Sequence, residues 1–311
     1  MVSRLSGGIN SNKKAVIFII RESTLKPNFL VIGAPKCATT ALCHYLSEHP
    51  EVFFSLPKET FFFAYEEEYS KGLDFYEAIF DGVKDEKAIG EGTTVYAQTA
   101  TFPKMFDRIT SYLPKAKIIY MVREPLERIQ SHWVEMYSQG LTMEPFNKAV
   151  LDDIQYVDAS SYYAQYTKYK SFYGAENIQV IFYEDYKKDP SKVLADCFEF
   201  LGVDPEFKVQ GAEKPRYTSE GKRRDLPITN FLRRKLPGFY HLRNLAPKSI
   251  REFVKSSLKA PIGEKPSWDE EVKQTVIDRL QDDTRQFLLE MGKGEDYWPL
   301  NRATNSVASP A

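Results

Sequence analysis

The chain has 311 residues, 42% of them hydrophobic, and 42 Lys and Arg against 43 Asp and Glu leave a net charge of −1. Such a chain buries a sizeable core, as one large α/β domain or two small ones, and its charge balance excludes a general affinity for nucleic acid. No stretch approaches the ~20 apolar residues that a membrane-spanning helix needs.

The charge is unevenly placed. Between Lys208 and Lys259 there are 14 Lys and Arg against 4 Asp and Glu, a local balance of +10 that leaves −11 on the rest. A basic segment on an acidic body suits an anionic ligand or a lipid surface, or is a solvated face. Cys37, Cys43 and Cys197 form no metal-type pair and suit a reducing compartment, so a cytoplasmic location is expected. Residues 1–25 read as an N-terminal extension. Its apolar run Ala15 to Ile20 is short for a signal peptide and meets Arg21 at once, as an edge strand would.

Phe29 to Ile32 is a short apolar run suited to an inner parallel strand. Gly33 and Pro35 end it, and Thr39 and Thr40 stand where they can cap a helix running on through Leu42 and Leu46. The open amides of that helix start, beside the ammonium of Lys36, form an anion site. Lys36 comes three residues after Gly33 and is followed by Cys37, a poor fit to the Walker Gly-Lys-Ser/Thr triplet. An ordinary strand-to-helix turn with a solvated lysine is the plainer alternative.

Glu51 to Leu56 reads as extended and leads into Pro57-Lys58-Glu59-Thr60-Phe61-Phe62-Phe63. Glu59 either starts a helix ahead of a core-facing aromatic cluster or is a carboxylate held on an apolar wall, as a general base would be. Gly72 to Phe80 has helical spacing. Ala88 to Tyr96 reads as a brief strand and a polar turn around Glu91, and Gln98 to Leu113 as a helix. The strand Lys117 to Val122 ends in Arg123-Glu124-Pro125, and the helix behind it carries Ser131 two turns on. A guanidinium fork there suits a phosphate dianion, or pairs with a neighbouring carboxylate. Leu151 to Tyr173 holds a tyrosine-rich helix, Asn177 to Phe182 is a further inner strand running into Tyr183, and a helix follows from Ser191. Gly221-Lys222-Arg223-Arg224 reads as a basic loop, and Phe231 to Tyr240 mixes aromatic and basic residues in a way that suits peripheral membrane contact. A late helix from Trp268 and a disordered tail over 301–311 close the chain. Strands alternating with helices predict an α/β fold, a single domain with a central parallel sheet flanked by helices. Ligands in such sheets bind beyond the carboxyl ends of the strands, where Lys36, Glu59, Glu91, Arg123 and Tyr183 all fall.

With these residues in view the chain resembles the sulfotransferases that use 3′-phosphoadenosine-5′-phosphosulfate (PAPS), and most of all the bacterial members and the domains that modify heparan sulfate. The resemblance implies a P-loop-like sulfotransferase fold over residues 26–300. It also implies PAPS as cosubstrate, adenosine 3′,5′-bisphosphate as product and no metal. Gly33 to Thr40 looks like the 5′-phosphosulfate loop, which gives Lys36, Cys37, Ala38, Thr39 and Thr40 to the 5′ end of the donor. Arg123 and Ser131 match the 3′-phosphate motif, Tyr183 the segment that places the adenosine, and Lys222, Arg223 and Arg224 the late loop over the nucleotide. Glu59 falls at the catalytic base of glycan-type members, with Lys36 stabilising the leaving phosphate. Gly92 stands where many of those members carry a lysine. The implied acceptor is a carbohydrate, glycolipid or small natural product with a hydroxyl or amine. A P-loop kinase and a non-catalytic nucleotide-binding module are the alternatives.

Overall fold

Bulky apolar runs with few polar interruptions become strands buried on both faces. Five strands form an all-parallel sheet in the computed structural model, which describes residues 26–211, 223–225, 259–261 and 266–300. They are β1 (Phe29–Gly33), β2 (Val52–Phe54), β3 (Ala88–Gly92), β4 (Lys117–Val122) and β5 (Ile178–Phe182), in the order β2-β3-β1-β4-β5. β1 is therefore central, with Leu30 beside Glu91 of β3 and beside Ile118 of β4. The sheet is covered by α1 (Thr39–Leu46), α2 (Glu66–Tyr69), α3 (Leu73–Glu77), α4 (Met105–Tyr112), α5 (Pro125–Ser138), α6 (Phe146–Asp152), α7 (Gln155–Asp158), α8 (Tyr162–Tyr173), α9 (Tyr183–Lys188), α10 (Pro190–Leu201) and α11 (Glu270–Glu290).

The aromatic residues fill the space between these layers. Phe62, Phe63, Tyr76 and Tyr96 are fully buried, and Phe62 stacks on Tyr76 with ring centroids 4.6 Å apart. Each such side chain contributes roughly 1.5–3 kcal/mol by leaving water. On the same face of the sheet, α11 packs on α8 through Phe287, Tyr162 and Tyr166, and Trp298 closes over the same cluster. Asp283 of α11 caps α8 from outside, accepting from the amides of Tyr163 (3.0 Å) and Ala164 (2.8 Å).

Three expectations change. The helix predicted over Gln98 to Leu113 shrinks to Met105–Tyr112. Before it, Asp158 accepts from the Ala100 and Thr101 amides and from the Thr101 hydroxyl, and Gln165 accepts from the Thr99 amide. Side chains thus satisfy amides that a helix would otherwise use. Neither Thr39 nor Thr40 caps α1, because its N-cap is Ala38 with left-handed backbone and no side-chain bond. Arg223 and Arg224 lie on a strand, not a loop: β6 (Arg223–Asp225) pairs antiparallel with β7 (Lys259–Pro261) and lies beside α5. The expectations for residues 1–25, Lys222, Phe231 to Tyr240 and 301–311 fall outside the described residues. Among the described residues no helix is long and apolar enough to cross a membrane.

Candidate active site

At the carboxyl end of β1 the pairing register with β4 shifts between Val31 and Gly33. Gly33 has φ +147°, and a Cβ there would sit 2.7 Å from the Thr94 carbonyl oxygen and 2.8 Å from the Ala97 Cβ. Only glycine lets the turn after β3 approach so closely. The Ala34 amide donates to the Met121 carbonyl at 2.6 Å, tying the loop to β4. Lys36 and Ala38 then adopt left-handed backbone, φ 71° and 67°. Among the described residues no acceptor meets the amides of Ala38, Thr39 and Thr40. These three open donors share one loop with the Lys36 ammonium, an arrangement whose chemistry suits an anion.

Cys37 sits inside that loop but faces the core, fully buried, with its own amide donating to Ala34 at 3.3 Å. Its position near a helix start suggests a lowered pKa. Burial instead pushes the thiol up to about 12, only partly countered by Arg128 and Arg123. Thr39 is buried and Thr40 exposed.

A second cationic side chain, Arg123, lies at the end of β4. Arg123 stacks its guanidinium 4.9 Å from the centroid of Tyr183, which follows β5, so the two predicted site residues meet. Glu124 caps α5 with its own carboxylate, accepting from the Leu126 (3.1 Å) and Glu127 (2.6 Å) amides. Those amides are occupied, and the cationic work at this end falls to Arg123 itself. Ser131 is half-buried in the interior of α5, and its hydroxyl meets no hydrogen-bond partner among the described residues. Beneath them Arg128 is fully buried, bonded to the Ser160 hydroxyl (2.6 Å), the Tyr156 carbonyl (2.6 Å) and His132 Nδ1 (3.3 Å). No carboxylate among the described residues pairs with it, and burial lowers its pKa. His132 is held far below the usual imidazole range by burial and by Arg128 and Lys36, so it stays neutral.

Glu59 starts no helix. It has φ 64°, Phe61 has φ 55°, and the Glu59 amide donates to the Gly92 carbonyl at 2.9 Å. Its Oε2 accepts from the Thr94 amide (2.8 Å) and hydroxyl (3.2 Å), and Lys58 Nζ lies against its Oε1. Phe62 and Phe63 are buried, whereas Phe61 is half-buried and stacks on the exposed Tyr65 at 5.0 Å.

Glu91 does not reach the pocket. It is fully buried on β3, where it accepts from the hydroxyls of Thr60 (2.5 Å), Tyr76 (2.8 Å), Tyr96 (3.0 Å) and Thr93 (3.4 Å). Burial raises its pKa against the pull of these four donors. Through Thr60 it anchors the strained Glu59–Phe61 turn. Sequence spacing could not reveal this, because a strand end and a buried strand interior differ by one residue. At Gly92 a Cβ would meet Cys43 Sγ at 2.8 Å and the Phe54 ring at 3.0 Å.

The site's charges are paired within the protein: Lys36 with Glu135 at 2.8 Å, Arg123 with Glu127 at 2.6 Å, and Glu59 with Lys58. Glu135 was invisible to motif reading, although its place one turn beyond Ser131 on α5 is a usable signal. Among the described residues no group of three or more His, Cys, Asp and Glu could hold a metal ion.

The structure thus has a parallel α/β sheet with cationic loops beyond two adjacent strands and a carboxylate beside one of them. Residues 26–290 match the family model described as the sulfotransferase domain, and the chain belongs to that family. It is 34% identical over 110 residues to the membrane-associated sulfotransferase kil1 of Dictyostelium discoideum, covering 34% of this chain and 22% of that protein. It is 26% identical over 216 residues to the bifunctional heparan sulfate N-deacetylase/N-sulfotransferase 4 of Mus musculus, covering 62% of this chain and 24% of the other. To the heparan sulfate glucosamine 3-O-sulfotransferase 6 of Homo sapiens it is 27% identical over 240 residues, covering 69% and 68%. The chain thus spans about a quarter of the length of the first two relatives. Among solved structures, a sulfotransferase from Alicyclobacillus acidocaldarius shares the fold, with a TM-score of 0.63 at 21% identity over 88% of this chain and 99% of that one.

Proposed function

We propose that the chain moves a sulfuryl group from PAPS to a hydroxyl or amine of a carbohydrate, glycolipid or small natural-product acceptor. One observation carries the reading. The four non-glycine residues with left-handed backbone among the described residues, Lys36, Ala38, Glu59 and Phe61, all lie in the two loops that hold the ammonium and the carboxylate. Such conformations cost of order 1–3 kcal/mol each and persist where function requires them.

In this reading the S–O bond to the 5′-phosphate breaks as a bond forms from the acceptor oxygen or nitrogen to sulfur. The charge left on the phosphate oxygen is met by Lys36 and the open amides of Ala38, Thr39 and Thr40. Glu59 takes the acceptor proton, and the Thr94 amide and hydroxyl hold it in position. Arg123 and Ser131 grip the 3′-phosphate, Tyr183 lies beside the adenosine, and Arg223 and Arg224 come from the ribbon next to α5. The Phe61–Tyr65 stack beside Glu59 gives an acceptor ring an apolar face.

Transfer of labelled sulfate from PAPS to a panel of sugars, glycolipids and phenols tests the reading. Glu59→Gln should lower turnover by about 10²–10⁴-fold with bisphosphate binding unchanged. Lys36→Ala should abolish transfer. Turnover of Glu59→Gln within a few-fold of wild type would remove Glu59 from the role of base.

A further inference from the structure

We infer that Glu135 is an internal counter-anion for Lys36, displaced when the donor binds and re-engaged as the bisphosphate product leaves. The inference rests on the proposed donor, and it assigns a residue that no motif contains. Lys36 Nζ and Glu135 Oε2 are 2.8 Å apart, joining the β1–α1 loop to α5 across 99 residues of sequence. Their side chains are only 19% and 28% exposed, so the pair is shielded more than a surface ion pair and is worth correspondingly more. The Gln139 side-chain amide donates to the other oxygen, Oε1, which fixes the carboxylate's orientation towards Lys36.

A single ammonium cannot make its full interaction with Glu135 and with a ligand phosphate at once. The competition is unequal along the reaction. When the S–O bond breaks, the 5′-phosphate keeps the bonding electrons and gains negative charge, so it attracts Lys36 more strongly as product than as phosphosulfate. Without a competing anion the product would be the tightest-bound species. Because the product draws Lys36 further from Glu135 than the phosphosulfate does, losing that pairing costs the product complex more, so Glu135 speeds release more than it weakens donor capture.

Calorimetric titration of adenosine 3′,5′-bisphosphate into wild type and Glu135→Gln tests this. The glutamine keeps the side chain's shape and removes its charge. Glu135→Gln should bind the bisphosphate on the order of tenfold more tightly. In steady-state transfer, its product-inhibition constant should fall by a larger factor than its donor KM. Equal or weaker bisphosphate binding by Glu135→Gln overturns the inference and leaves the sulfotransferase reading standing. No binding by either protein overturns both. If Glu135→Gln does not fold, Glu135→Asp, with the charge drawn back by one methylene, should tighten binding by a smaller factor. Unchanged binding there overturns the inference equally.

Discussion

Gly92 shows how one residue constrains the site. Its carbonyl accepts the Glu59 amide at 2.9 Å, and a Cβ on it would lie 2.8 Å from Cys43 Sγ. A lysine at this position, expected of many glycan-type relatives, therefore has no room in this packing. Gly92→Ala should destabilise the fold by about 1–3 kcal/mol, read as a fall in the chemical-denaturation midpoint at constant slope. An unchanged midpoint would mean that Cys43 and Phe54 move aside freely. Lys58, lying against Glu59 Oε1, supplies a cation beside that carboxylate. The sequence led to Lys36, Arg123, Tyr183 and Glu59 because each follows a recognisable strand. It did not distinguish Glu91, whose four hydroxyl partners come from positions 60 to 96 and converge only in three dimensions. Nor could it reveal left-handed backbone at Lys36 or Glu59, since neither is a residue type that advertises it.

At the scale of elements, the strands were the most legible feature because burial on both faces forces unbroken apolar runs. β1, β4 and β5 lie within a residue or two of their predicted bounds. Helix limits set by side chains from elsewhere were not legible, as Asp158 shows ahead of α4. Asp283 makes the same point with a measurable consequence. It caps α8 from α11, and burial pushes its carboxyl up to about 6 from an ordinary 3.8. A raised carboxyl pKa adds stability that is fully present below the unfolded pKa and lost as pH rises through the folded one. The window therefore runs from about pH 4 to about pH 6. Asp283→Asn keeps an acceptor for the two amides and carries no charge. Its Tm should exceed that of wild type at about pH 7.5, and the difference should shrink towards zero near pH 4. An offset that does not change with pH would show that Asp283 sits ionised in the fold without cost.

For the whole molecule, the sheet order brings the ends of β1 and β4 side by side, so the loops that follow them leave from neighbouring strands. The Cys37 thiol between them feels both Arg123 and Arg128. Arg128 is a buried cation whose partners are neutral, an arrangement that is costly alone and eased by an anion nearby. A ligand with one phosphate group at each loop satisfies both sets of cations, whereas a nucleotide whose phosphates all lie at its 5′ end satisfies one. The most direct measurement is a calorimetric comparison of adenosine 3′,5′-bisphosphate with ATP in the absence of metal. The account predicts that the bisphosphate binds at least about 100-fold more tightly, a difference of ~2.7 kcal/mol. Equal affinities, or a preference for ATP, would contradict it.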